Sequence, residues 1–87
     1  AQALRDAFVQ HGCRAVIHFA GLIEIGRSVV RPDLFFDHNT FGTAALLRAM
    51  RDAGAERIIF SSTAAVYGLP AHGARPIRED DPRTPIN

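Results

Sequence analysis

Apolar positions along the chain switch from helical spacing to consecutive runs and back, and the switches mark its elements. Leu4, Ala7 and Phe8 recur at three- and four-residue intervals ahead of His11-Gly12. A short helix is therefore expected to end near His11, with Gly12 suited to the left-handed residue that closes many helices. Ala15-Val16-Ile17-His18-Phe19-Ala20 is a compact run of β-formers stopped by Gly21, the pattern of a strand covered on both faces in a parallel sheet. Leu22 to Val30, interrupted by Gly26 and followed by Pro32, reads as loop with a helical turn, since Pro32 disfavours helix at Arg31. From Pro32 a long helix is expected through Asp33 to Ala53, with an acidic first turn and Gly54 as its terminator. Arg57-Ile58-Ile59-Phe60-Ser61 repeats the buried-strand pattern. Strand, long helix, strand is a βαβ unit, so the fold class is α/β with a parallel sheet. The stretch from Gly68 to Asn87, with Pro70, Gly73, Pro76, Pro82 and Pro85, reads as connection.

Composition narrows this picture. At 87 residues, 47% hydrophobic and 22% charged, the chain holds at most one small domain and is not disordered. No apolar run approaches the roughly 20 residues of a membrane span. The net charge of +1 is scattered along the chain, so no face points to nucleic acid or a membrane surface. All ten basic residues are arginines and Tyr67 is the only tyrosine; chemistry that needs a lysine must come from elsewhere. The lone Cys13 excludes an internal disulfide framework and suits the reducing cytoplasm. Because a helix is already under way at Ala1 and the last residues form a proline-broken loop, the sequence is expected to be an internal segment of a longer protein.

In open parallel sheets ligands lie beyond the carboxyl ends of the strands, which directs attention to the residues after Phe19 and Phe60. Ala20-Gly21 would let a ligand approach the backbone closely, or would simply make a tight turn. Ser61-Ser62-Thr63 presents three hydroxyls where the second strand surfaces. They suit donors to a ligand oxygen, or equally a helix cap, and a hydroxyl acting on a proton needs a partner of tuned pKa. On the long helix Asn39 shares a face with Gly42, Leu46, Ala49 and Ala53; its amide would bond either a ligand or a backbone carbonyl near the first strand's end. His11, His18, His38 and His72 lack liganding spacing, so no metal is expected. Ser61 lacks the Gly-x-Ser-x-Gly elbow of a hydrolase. Arg78-Glu79-Asp80-Asp81 reads as a solvated charged loop.

Taken in order, Val16-Ile17-His18-Phe19-Ala20-Gly21, Gly26-Arg27-Ser28-Val29 with Pro32, Asn39-Thr40-Phe41-Gly42-Thr43, Phe60-Ser61-Ser62-Thr63-Ala64-Ala65-Val66-Tyr67-Gly68, Glu79-Asp80-Asp81-Pro82 and Thr84-Pro85-Ile86-Asn87 resemble the extended short-chain dehydrogenase/reductases, and within them most closely the UDP-glucose 4-epimerases. The resemblance implies that residues 1–87 are the middle of an NAD-binding Rossmann domain. The parent protein would oxidise and re-reduce a UDP-sugar at C4, interconverting UDP-galactose and UDP-glucose, as a cytoplasmic homodimer. By the same resemblance Phe19, Ala20, Gly21, Asn39, Ser61 and Ser62 would contact NAD, and Thr63 would be the catalytic hydroxyl on the C4 oxygen. Ile23 departs from a lysine common in the family, and His38 from a second asparagine found in some members. The family's glycine-rich turn, Tyr-x-x-x-Lys pair and substrate domain do not occur in the sequence, so the segment alone is expected to be inactive. Tyr67 is not the paired tyrosine, because no lysine follows it at the fourth position. A related sugar-nucleotide epimerase or 4,6-dehydratase would share this middle. A non-catalytic α/β binding module is the alternative of a different class.

Overall fold

Two parallel strands with helices against one face make up the computed structural model, which describes residues 2–69 and 75–87. Helix α1 (Gln2–His11) ends at Gly12, whose φ of 61° is left-handed. Strand β1 (Ala15–His18) follows, then helix α2 (Ile25–Val30) and helix α3 (Pro32–Phe35), which continues through a π-helical segment (Phe36–Phe41) into helix α4 (Gly42–Ala53). Gly54 closes α4 at φ 73°, its N–H returning to the Arg51 and Met50 carbonyls, and strand β2 (Arg57–Phe60) leads to a 3₁₀ turn (Ala64–Tyr67). β1 and β2 pair in parallel from Ala15 opposite Arg57 to His18 opposite Phe60. The architecture is α/β, as the alternation of spacing implies.

The core lies between the helices and one face of the sheet. Leu46, Met50 and Ala55 are buried together, with Phe8 of α1 and Val16 of β1 packed against them, and Ala49 is buried on the same helix. Residues alternate across a strand, so Val16 and His18 face the helices while Ile17 faces away. Register places Ile58 and Phe60 on the helical side and Ile59 beside Ile17.

Five expectations change. Neither strand is covered on both faces: Ile17 and Ile59 are 61% and 64% exposed, while the helical core of Leu46 and Met50 packs against Val16 on the other side. The pairing stops at His18 and Phe60, two and one residues short of the expected ends, where the strands diverge around a cleft. Ile25–Val30 is a helix rather than a loop with one turn; Gly26 has open space around it and does not break the hydrogen bonding. The long helix is not uniform, since residues 36–41 widen into a π-turn marked by the Gly42 N–H reaching the Asp37 carbonyl five residues back. The charged loop is also more ordered than its composition implies. Arg75 donates to both carboxylate oxygens of Asp81 at 2.9 and 2.6 Å, and Asp81 also accepts the Arg78 N–H, leaving this carboxylate half-buried. Pro70, His72 and Gly73 lie outside the described residues.

Candidate active site

Where the two strands end, their chains part and leave a cleft of about 440 Å³. Phe19, Ala20 and Gly21 form one wall, Ser61, Ser62 and Thr63 another, and Asn39 of the π segment lies between, so all seven sequence-derived candidates line a single hollow. The carboxyl ends of parallel strands are where an α/β fold leaves such a space. The Ser61 N–H donates to the His18 carbonyl at 3.0 Å, tying the strand ends together at the base of the cleft. No charged side chain lines it among the described residues. The donors available are hydroxyls and amides, and a base strong enough to take a proton from one of them must be brought by another part of the molecule.

Asn39 takes the backbone role that its residue type left open. Its Oδ1 accepts the Leu22 N–H at 2.8 Å and its Nδ2 donates to the Leu22 carbonyl at 2.9 Å, so one amide pairs with both polar groups of one residue. This approach explains Gly21: a Cβ there would lie 3.3 Å from Asn39 Oδ1, tight enough to push against the paired amide. Asn39 keeps one lone pair and one N–H beyond Leu22 for any other partner.

Thr63 likewise caps. Its backbone is extended, and its Oγ1 accepts the Ala65 N–H at 3.1 Å, starting the 3₁₀ turn. Accepting that bond leaves the hydroxyl proton free to be donated into the cleft. The turn ends at Gly68, and the Thr84 Oγ1 donates to the Tyr67 carbonyl at 3.1 Å, which brings the final segment back so that Asn87 also lines the cleft. Reading residue types alone missed Asn87, and it gave His18 no role beyond a rejected metal ligand. The signals available were Thr43 four residues after Asn39 and a strand register that puts His18 opposite Phe60, their rings 5.4 Å apart.

Comparison with known proteins places this geometry. A model of the NAD dependent epimerase/dehydratase family matches residues 1–87. The chain belongs to that family. UDP-glucose 4-epimerase of Rhizobium meliloti is 44% identical over 86 residues, covering 99% of this chain and 26% of that protein. The Streptomyces lividans UDP-glucose 4-epimerase is 51% identical over 72 residues, 83% of this chain and 21% of its own. Among solved structures, UDP-glucose 4-epimerase from Brucella ovis in complex with NAD matches with a TM-score of 0.89 at 37% identity, over 99% of this chain and 26% of that one. The Bifidobacterium longum enzyme in complex with NAD+ and UDP gives 0.85 at 38%, over 95% and 24%. The chain thus spans about a quarter of the length of these relatives. Its βαβ unit is part of the Rossmann-type sheet of the epimerase/dehydratase family. Ile23 is 87% exposed and lines the hollow.

Proposed function

We propose that the chain is the middle of the NAD-binding domain of an enzyme that interconverts UDP-galactose and UDP-glucose, and that Phe19, Ala20, Gly21, Ser61 and Ser62 line its cofactor while Thr63 acts on the sugar. The observation that carries the reading is the convergence of all seven candidates on one cleft at the strand ends. The donor set fits a dinucleotide's nicotinamide end: small residues at Ala20-Gly21 admit a flat group, Phe19 offers an apolar wall, and neutral hydroxyls face it. Bound NAD supplies a hydride acceptor and donor for sugar carbon 4.

The chain's own part is to hold the strand ends apart at fixed spacing and to present Thr63. With its Oγ1 anchored by the Ala65 N–H, the Thr63 hydroxyl donates to the C4 oxygen and stabilises the charge that develops there, while the proton lost from the C4 hydroxyl goes to a base supplied from outside these residues. The exposed Ile17 and Ile59 support a place within a wider sheet, whose helices on that second face would cover them. On this reading the segment alone turns over no UDP-galactose and holds NAD weakly. The full-length protein is expected to be a cytoplasmic homodimer, which size-exclusion chromatography with light scattering checks.

The test is Thr63→Val against Thr63→Ser in the full-length protein. Valine is expected to lower UDP-galactose turnover about 10²–10³-fold with NAD retained, the range for losing one such donor. Serine, which keeps both cap and proton, stays near the parent. Unchanged turnover in Thr63→Val would reduce Thr63 to a structural cap.

A further inference from the structure

We propose that His18 is a positioning residue, the origin of a hydrogen-bonded bracket that leaves the chain at residue 18 and returns to it at residue 22, holding Phe19–Gly21 between its ends. One proton sets the direction of the bonds. The Thr43 Oγ1 lies 2.6 Å from the Asn39 carbonyl and 3.0 Å from His18 Nε2. A hydroxyl has a single hydrogen, and a carbonyl can only accept. The Thr43 proton must therefore lie toward Asn39, because two oxygens at 2.6 Å with no proton between them would repel. It follows that His18 Nε2 carries a hydrogen and donates it to Thr43.

The bonds then run in one direction, from His18 to Thr43 and from Thr43 to the Asn39 backbone, and the Asn39 side chain clasps both polar groups of Leu22. Each link uses a different element: the end of β1, the first turn of α4, the π segment, and the loop after β1. The π-turn matters here because it holds the Asn39 backbone and side chain where they meet Thr43 and Leu22 together. Among the described residues, the hydrogen bonds of loop residues 20–23 are the two from Asn39. The loop borders the cleft and also a second hollow of about 430 Å³ lined by Leu4, Val16, His18 and Leu46. Packing alone leaves it room to move, and the bracket supplies what packing does not. The tilted His18–Phe60 ring contact fixes the imidazole plane at the bracket's origin.

The consequence for NAD rests on the proposed function, whereas the bracket itself does not. In the full-length protein, long-range ¹⁵N–¹H imidazole correlations are expected to report a hydrogen on His18 Nε2. His18→Asn, whose amide is too short to reach Thr43, and Thr43→Val are each expected to speed Leu22 amide exchange and to weaken NAD binding about tenfold, the order of one lost hydrogen bond. His18→Gln places an amide N–H near the Nε2 position and is expected to restore both within about threefold. The double variant His18→Asn/Thr43→Val should be no worse than either single, since both cut the same chain. A proton on Nδ1 alone, additive losses, or a glutamine as damaging as asparagine would overturn the proposal. The tautomer and the Leu22 exchange need no cofactor, so they decide the bracket even if His18→Asn folds poorly. Failure of the unsubstituted protein to bind NAD would count against the proposed function instead.

Discussion

Replacing Gly68 by alanine adds one methyl group at a point where the backbone has two reasons to refuse it. Gly68 sits at φ 64° and ψ −141°, a conformation that costs a residue with a side chain about 1–3 kcal/mol. The new Cβ would also overlap the Thr84 carbonyl oxygen. That oxygen belongs to the backbone and cannot rotate aside, so the segment carrying Thr84 must shift and break the Thr84–Tyr67 bond, a further loss of about 0.5–1.5 kcal/mol. The sum is about 1.5–4.5 kcal/mol. Gly12 provides the control: its φ of 61° is similar, yet nothing lies within 4 Å of a Cβ built there. Gly12→Ala should cost only the conformational part, about 1–2 kcal/mol. Urea unfolding of the two full-length variants measures the difference. Because Asn87 lies three residues beyond Thr84 and lines the cleft, Gly68→Ala should also weaken NAD binding while Gly12→Ala should not. Equal destabilisation by the two substitutions would refute the packing of residues 84–87 against the turn.

Other outcomes follow from the same geometry. Ile23→Lys sets a cation at the edge of the cleft, on a side chain whose exposure makes the exchange harmless to packing; NAD is expected to bind a few-fold tighter at low salt, with the gain fading as ionic strength rises, and isothermal titration at two salt concentrations checks it. The Arg31 guanidinium donates to both oxygens of Asp33 at 3.0 and 2.7 Å, and these bonds hold the Asp33 carboxyl below its ordinary value of 3.8. A depressed folded pKa contributes stability that is complete above the ordinary carboxylate pKa and is lost as pH falls through the lower, folded one. An NMR titration of the Asp33 carboxyl carbon should move back toward the ordinary value in Arg31→Gln, and an unmoved midpoint would mean the pair does not form in solution.

Much of this arrangement was legible in residue order. The β-former runs at Val16 and Ile58, the left-handed Gly12 and Gly54, and the buried Leu46 and Ala49 follow from spacing, because local sterics and one packed helix face decide them. The cleft was legible too, since the rule about strand ends names the residues after Phe19 and Phe60. The π segment was not. A reading based on a 3.6-residue period assumes that every turn repeats, and Asn39 still falls on the expected face whether or not one turn is wider. The Arg75–Asp81 pair was hidden for another reason: a run of charges looks solvated until one member finds a partner six residues away. Nor could residue types decide between cap and donor at Thr63, or between backbone and ligand at Asn39, because in each case one side chain has capacity for both.

The widened turn at Phe36–Phe41 also bears on how such a protein can change. In a regular helix each residue turns the chain by about 100°, so losing one residue rotates everything before it relative to everything after. Here the wider turn already holds one residue more than an α-turn, so a deletion within residues 36–38 would relax it with the flanking segments nearly in phase, removing the bulge that seats Asn39 while Leu46, Ala49 and Met50 kept their places against α1 and β1. Substitution rarely separates a site from the core beneath it. Here insertion and deletion can, and the length of this one turn is a dial on which variation can act without unmaking the fold.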